Sequence, residues 1–440
     1  MAKPLVYCLI INWNGIEHLP DCFESLIRST YQNVKFLLLD NGSSDSSIEF
    51  IKKEYGNYPQ VEILAFGKNL GWSGANNAGI NYAVLRNADY VFLLNNDTKT
   101  HPDAISCLVD VAETNPKMGA LAPKLLFYSH PELINSIGLE CSVIGAAWDR
   151  GIGRLNDTRW NESCPVIGVC GAGWFLRSQV LKHVGLLAED FGIYFDDLDL
   201  CWRIWNAGYE IWTCPEAVVY HKFSATMGSP EQEKRKYYLN TRNRFRFMLR
   251  NFPAEKLGCI VTKSIYGEVK AVGRAAWDRE FWKIMAHIRS WLEIPMYLRK
   301  ALKHRRSAVT TGNKTGAPWD LVRDEPLFFQ GFELPEDGWY RARQMSQDLV
   351  RPISRNATMK VGHGRLRVIS LNCYPHLGAV DIEILLNSVP KARLRTQGRD
   401  EIVLETIPGV LTFSAQRIFF AEETGEKSDF GGWLAIQSIE

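Results

Sequence analysis

Four short runs in the first hundred residues are apolar at nearly every position, not at every second one. They fall at 6–11, 34–39, 61–65 and 90–94. A strand with one wet face alternates. A strand without alternation is buried on both faces, as a parallel sheet under two helical layers requires. Helical patterns separate the runs. Residues 20–29 put Cys22, Phe23, Leu26 and Ile27 on one face, 46–55 opens on Ser and Asp as N-cap material, and 73–88 continues the series. Strand–helix alternation through about residue 225 therefore predicts an α/β domain with a mainly parallel sheet and helices on both faces.

The rest of the chain changes character twice. Between Gln232 and Arg306 there are 19 Lys+Arg against 6 Asp+Glu, about +13 in a chain whose overall charge is +2. Trp277, Phe281, Ile284, Met285, Ile288, Trp291 and Leu292 recur there at helical spacing, with Arg279, Lys283, His287 and Arg289 between them. Pro295 is expected to break or kink that helix. An apolar stripe beside a basic one suits a helix on an anionic membrane, and equally a solvated face or a dimer contact. Residues 307–318 read as a linker. Beyond them, alternating runs at 366–371, 380–386, 401–407, 410–413 and 433–436 predict an all-β sandwich. The expected domains are thus 1–230, 231–308 and 309–440. Gly338-Trp339-Tyr340 and Asp429-Phe430-Gly431-Gly432-Trp433 offer aromatic rings near turns, for stacking on glycans or for the core.

Composition excludes some classes. No apolar run reaches the roughly 18 residues of a membrane span. The ten cysteines form no C-x-x-C pair and no Cys/His cluster at zinc spacing, which points to a reducing cytoplasm. The basic region carries no recognisable RNA- or DNA-binding motif, so no nucleic-acid partner is expected.

Several strings at strand ends have chemical potential. Asn95-Asn96-Asp97 follows the fourth apolar run: it either turns the chain and caps a helix, or offers oxygen ligands to a hard cation. Asp40-Asn41-Gly42-Ser43-Ser44-Asp45 reads as a turn with a cap, or as a base- or ribose-binding strand end. Asn69 to Gly79 is rich in Gly and Asn at a helix start, suited to close packing or to phosphate. Gly171-Ala172-Gly173-Trp174 places a Trp beside glycines, as core or as a stacking wall. Tyr194-Phe195-Asp196-Asp197-Leu198-Asp199 sets three carboxylates at a helix start. The helix dipole lowers their pKa while neighbouring carboxylates raise it toward that of a useful base. Tyr220-His221 ends a strand with a lone His, structural or metal-ligating.

In this order, over roughly residues 5–250, these strings together with Ile11-Asn12-Trp13-Asn14 resemble family 2 glycosyltransferases of the GT-A fold. The branch they resemble is the bacterial rhamnosyltransferase-like enzymes of polysaccharide assembly. The resemblance implies an inverting transferase that moves a sugar from a nucleoside-diphosphate donor (dTDP- or UDP-sugar, dTDP-rhamnose among them) to a hydroxyl of a glycan or lipid-linked acceptor. It implies Asp197 as general base, with Asp196 beside it as the other candidate. Donor-binding residues would be Asn12, Asp40, Asn69, Gly71, Asn76, Asn95, Asn96 and Asp97, with Asp40 on the nucleobase. Asp97 and His221 would hold Mg²⁺ or Mn²⁺, and Trp174 and Tyr194 would face the acceptor. Two positions depart from the family pattern. The D-x-D motif reads Asn95-Asn96-Asp97, with one carboxylate, and the Glu-Asp pair reads Asp196-Asp197. The expected location is cytoplasmic, peripheral on the inner face of the cell membrane through 231–306, with a homo-oligomer admitted. Rival readings are a catalytically inactive glycan-binding subunit and a sugar-1-phosphate nucleotidyltransferase. The second lacks the basic Gly-rich loop that should follow the first strand.

Overall fold

The computed structural model describes residues 3–223, 230–310 and 319–323. Further on it describes 343–345, 348–353, 356–361, 364–371, 379–395, 399–406, 408–415 and 432–439. Met1–Ile152 with Asn156–Phe328 form one compact unit, and Phe329–Glu440 with Gly153–Leu155 form the other.

The first unit starts as β1 (Val6–Asn12), α1 (Leu19–Ile27), β2 (Val34–Asp40), α2 (Ser47–Tyr55), β3 (Val61–Ala65), α3 (Gly71–Val84) and β4 (Tyr90–Asn95). It continues with β5 (Thr98–Thr100), α4 (Ala104–Thr114), β6 (Met118–Phe127), β7 (Ile134–Ser136), β8 (Leu139–Cys141) and β9 (Ala147–Asp149). Then come β10 (Gly173–Arg177), α5 (Ser178–Val184), α6 (Asp196–Asn206) and β11 (Glu210–His221). The main sheet has the order β3-β2-β1-β4-β10-β6-β11-β5, with β7 on β6. β3, β2, β1 and β4 are mutually parallel, as are β6 and β11. β10 runs antiparallel to both β4 and β6, and β5 antiparallel to β11.

The unalternating strands are explained by two cores. Val6, Cys8 and Ile10 of β1 pack with α1, α2 and α4 on one face, while Tyr7 and Leu9 pack with α3, α5 and α6 on the other. The fold is the expected α/β GT-A type, a mainly parallel sheet under two helical layers.

Three long helices follow: α7 (Pro230–Asn251), α8 (Ala254–Trp277) and α9 (Phe281–Thr310). Two expectations are corrected here. Trp277 and Phe281 lie on different helices, because Arg279 takes φ +57° and turns the chain between them. Pro295 does not end α9, which runs on to Thr310. Pro295 lies on the exposed side of the helix, where a carbonyl deprived of its N–H partner costs least. Of the expected linker, residues 307–310 are helical and 311–318 lie outside the described residues.

The second unit is antiparallel throughout its described strands. One sheet has the order β12 (Arg343–Met345), β13 (Asp348–Ile353), β20 (Gly432–Ile439), β15 (Gly364–Leu371), β18 (Arg399–Thr406). The other is β14 (Asn356–Val361), β19 (Gly409–Ala415), β16 (Asp381–Leu386), β17 (Val389–Arg395). Val368 and Leu404 of the first sheet share one core with Ile382, Ile384 and Phe413 of the second, the signature of a sandwich. The aromatic strings at 338–340 and 429–431 lie outside the described residues.

Candidate active site

The sheet register aligns three strand ends. Asn12 pairs with Asp40 across β1 and β2, and Ile11 with Asn95 across β1 and β4. Chain order reverses at β1, so a ligand crevice is expected beyond these carboxyl ends. Side chains there interlock. Asn96 Nδ2 donates to Asn12 Oδ1 at 2.7 Å, and Asn12 Nδ2 donates to Ser43 Oγ at 3.2 Å and to Asp40 Oδ1 at 3.5 Å. The Ser43 amide closes the turn onto Asp40 Oδ2 at 3.1 Å. Gly15 covers this cluster so closely that a Cβ would stand 2.0 Å from Asn96 Nδ2.

The Gly/Asn string is fastened to the same edge. Asn41 accepts from the Leu70 amide at 2.7 Å and donates to Asn69 Oδ1 at 3.2 Å. Asn69 Oδ1 also accepts from the Gly71 amide at 2.8 Å, where the backbone takes φ +76°, a conformation that suits glycine. Asn76 donates within α3 to the Trp72 carbonyl at 3.0 Å, leaving a buried Oδ1 without a partner among the described residues.

Asp97 stands just before β5, and the pairing of Thr98 with His221 brings it to the end of β11. Asp97 Oδ1 lies 3.4 Å from His221 Nε2, and both residues are buried. His221 Nδ1 is 2.8 Å from Asn135 Oδ1. An amide oxygen only accepts, so Nδ1 carries a proton; in the protonated ring Nε2–H points at the carboxylate, and in the neutral ring Nε2 offers its lone pair to a cation. Burial drives the Asp97 carboxyl upward, but His221, by hydrogen bonding and by charge, brings it below its ordinary value. A buried carboxylate oxygen and an imidazole nitrogen facing each other, with the ring fixed from behind, fit a divalent cation whose other ligands come from a diphosphate. Among the described residues no third His, Cys, Asp or Glu joins them as a ligand.

The three carboxylates of α6 separate by environment. Asp199 is fully buried and structural, 3.0 Å from Arg203 Nε and from Arg250 Nε, and 2.9 Å from Asn251 Nδ2. Asp196 is buried and accepts from Ser73 Oγ. Asp197 is only partly buried, and it accepts a hydrogen bond from the next amide, Leu198 N, at 2.7 Å. Burial raises the Asp197 carboxyl well above the carboxylate range, and the charges of Asp196 and Asp149 raise it further. Burial also raises Asp196, with the Ser73 hydroxyl pulling the other way. Here desolvation and like charge outweigh the helix dipole.

The two halves of the site meet through α3. Trp72 Nε1 donates to Asn95 Oδ1 at 3.3 Å, and its neighbour Ser73 holds Asp196. Asp149 of β9, which sequence reasoning missed, interacts electrostatically with both Asp197 and His221 and has a buried Oδ1 without a partner among the described residues. No motif surrounds it. Asn135, which orients His221, was equally invisible because it is 86 residues away in sequence.

Trp174 needs correction as an acceptor wall. It is fully buried on β10 within the core beneath α3, α5 and α6, where a sugar ring has no access. Trp72 is the indole at the site: it is only partly buried, and its ring lies against Gly171, where a Cβ would stand 2.9 Å from it. Tyr194 is half-buried with φ +69°, followed by Phe195 at +70°, and burial pushes its hydroxyl up to about 12.

Residues 7–185 match the family model described as Glycosyl transferase family 2. The chain is similar to the N-acetylglucosaminyl-diphospho-decaprenol L-rhamnosyltransferase of Mycobacterium tuberculosis, 29% identical over 252 residues, covering 52% of this chain and 80% of that one. It is also similar to a low-salt glycan biosynthesis hexosyltransferase of Haloferax volcanii, 21% identical over 318 residues, covering 70% of this chain and 92% of the relative. Among solved structures, a mannosyltransferase from Pyrobaculum calidifontis aligns with a TM-score of 0.44 and 14% identity, over 70% of this chain and 88% of that one. With the motifs of β1, β2, β4 and α3 all inside the matched span, the chain carries a glycosyl transferase family 2 domain.

Proposed function

We propose that this protein transfers a sugar, with inversion, from a nucleoside-diphosphate donor to a hydroxyl of a glycan or lipid-linked acceptor in polysaccharide assembly. One observation supports the reading: Asp197 is a partly open, raised carboxylate at the start of α6, linked through Asp149, which interacts electrostatically with it and with His221, to the Asp97–His221 pair. A base poised above the usual carboxylate range suits proton removal from a sugar hydroxyl. Asp196 is bound by Ser73 and so serves to raise and position Asp197.

Asn12, Asn69, Gly71, Asn76, Asn95 and Asn96 line the donor side, and Asp40 keeps spare lone pairs for a base N–H. Similarity to the L-rhamnosyltransferase favours a dTDP- or UDP-sugar, dTDP-rhamnose first. Asp97 and His221 would hold Mg²⁺ or Mn²⁺, which when bound offsets charge growing on the leaving diphosphate. Tyr194, at the entry to α6, is assigned to the acceptor side. Residues 1–230 are assigned to catalysis and 309–440 to glycan contact or scaffolding.

The test is a thermal-shift panel of nucleoside diphosphates and their sugars with and without Mn²⁺. A ligand at about a hundred times its Kd adds about 2.7 kcal/mol of stability, so a matching nucleotide should raise Tm. Asp97→Ala and His221→Ala should each remove the Mn²⁺-dependent increment. No shift with any nucleotide would replace the transferase by an inactive glycan-binding subunit, a reading that the lone carboxylate of Asn95-Asn96-Asp97 favours.

A further inference from the structure

α8 and α9 form an antiparallel pair in which Glu268 faces His287 Nδ1 at 2.6 Å and Trp291 Nε1 at 2.9 Å. Those contacts bury one side of each helix. The outer sides are apolar and open. On α8, Val261, Ile265 and Val269 follow at four-residue steps, with Ile265 58% exposed. On α9, Phe281, Met285, Leu292 and Met296 make a second line, and Met296 is 71% exposed. Trp277, at the end of α8, is 88% exposed. Trp291 joins the two lines, because its indole N–H is tied to α8 while part of its ring faces out. Soluble monomers rarely expose a patch of this extent without a use for it.

Charge identifies the occupant. The acidic groups nearby are mostly spent inside the helices: Glu268 on Arg244, Glu293 on Arg246, Glu280 on Lys283 and Asp278 on Arg274. Among the described residues no acidic partner meets Arg299, Lys300 or Lys303, which continue or border the apolar line of α9 at helical spacing. A second copy on a two-fold axis would bring these basic borders onto each other. An anionic lipid surface would complement them and receive the Trp and aliphatic side chains. No described helix is long and apolar enough to cross a membrane, so the pair would lie on it.

We propose that the outer face of α8 and α9 docks this protein on an anionic lipid surface. α7 is not part of that face, since Arg242, Arg246 and Arg250 point inward onto residues 190–199. The inference deepens the acceptor side of the transferase reading, yet rests on the exposed faces alone. The full chain should float with phosphatidylcholine vesicles containing phosphatidylglycerol, and poorly with phosphatidylcholine alone. The double variant Ile265→Glu/Leu292→Glu should keep its Tm and lose roughly tenfold or more of that binding. No flotation with the anionic vesicles would overturn the proposal. So would equal binding by the folded variant, or a wild-type dimer that the variant dissolves without any vesicle binding. The nucleotide panel, run without vesicles, should be unchanged in this variant, so failure there would count against sugar transfer and leave the lipid result standing.

Discussion

Asp196 and Asp197 are adjacent and chemically identical, and their surroundings give them different work. Asp196 is closed in and bound by Ser73, while Asp197 is partly exposed and is held by the amide of Leu198. Asp197→Asn should therefore lower transfer by about 10²–10⁴-fold, the usual worth of a general base, with the fold intact. Asp196→Asn should cost less, acting through the position and pKa of its neighbour. The pH profile follows from the direction of the shift. A raised carboxyl is protonated, and useless as a base, at pH values where an ordinary Asp is already ionised. The rate should thus fall as pH drops through that raised value, and an acidic limb placed at ordinary carboxylate pH would remove Asp197 from the role. Stability should move oppositely. A folded-state pKa above the unfolded one gives stability that is present at low pH and is lost as pH rises through the folded value. Asp197→Asn should consequently raise Tm at neutral pH, a typical trade of stability against activity. The sequence displayed the three carboxylates, but not that Asp199 is consumed by Arg250 and Asn251, about fifty residues away. That sorting depends on tertiary contacts which no local pattern encodes.

The sequence groups the basic run of α7 with the rest of 231–306 as membrane-facing, but the inner face of α7 holds the segment that leads into α6. Asn243 is fully buried, and its Nδ2 lies 3.0, 2.8 and 2.9 Å from the carbonyls of Phe191, Ile193 and Tyr194. Arg242 and Arg246 add bonds at 2.7 Å to the carbonyls of Phe191 and Asp190. These groups hold a segment that ends in two consecutive left-handed residues, each costing about 1–2 kcal/mol, immediately before Asp196. Asn243→Ala should leave buried carbonyls unpaired, at about 1–3 kcal/mol, and let that segment relax. Calorimetry should show the lost stability, and kinetics a fall in kcat larger than any change in donor KM. An unchanged kcat in folded Asn243→Ala protein would reduce Asn243 to packing alone. Periodicity reports an element's face only where apolar and polar residues segregate, as they do in α1, while the unbroken apolar runs of β1–β4 report burial on both faces; the bounds of these elements are legible to within two residues. In α7 the inward face is itself polar, so its direction was not legible. β10 was hidden for another reason: five residues inserted antiparallel between β4 and β6 leave no signature of pairing direction.

At the scale of the whole molecule, the cores are separate. The clusters beneath the main sheet and among the long helices draw on residues up to Val322, whereas the sandwich core starts at Ala357 and ends at Leu434. Each described unit thus buries its own apolar surface, the condition for folding alone. The sequence announced this through its change of period, from unalternating strands and helices to short alternating strands. The expected boundary at 308/309 falls about twenty residues before the division at Phe328, because Trp319, Leu321 and Val322 pack onto the helical cluster. Two cores without shared residues should unfold as two calorimetric transitions. A nucleotide bound beyond β1, β2 and β4 stabilises only the unit that contains those strands, so it should raise one transition and leave the other in place. Deletion of 329–440 should then remove the unmoved transition and keep the nucleotide-sensitive one within about 4 °C, the scale of a 1 kcal/mol change. A single transition, shifted as a whole by nucleotide and lost on deletion, would mean that the sandwich is required for the transferase unit to fold.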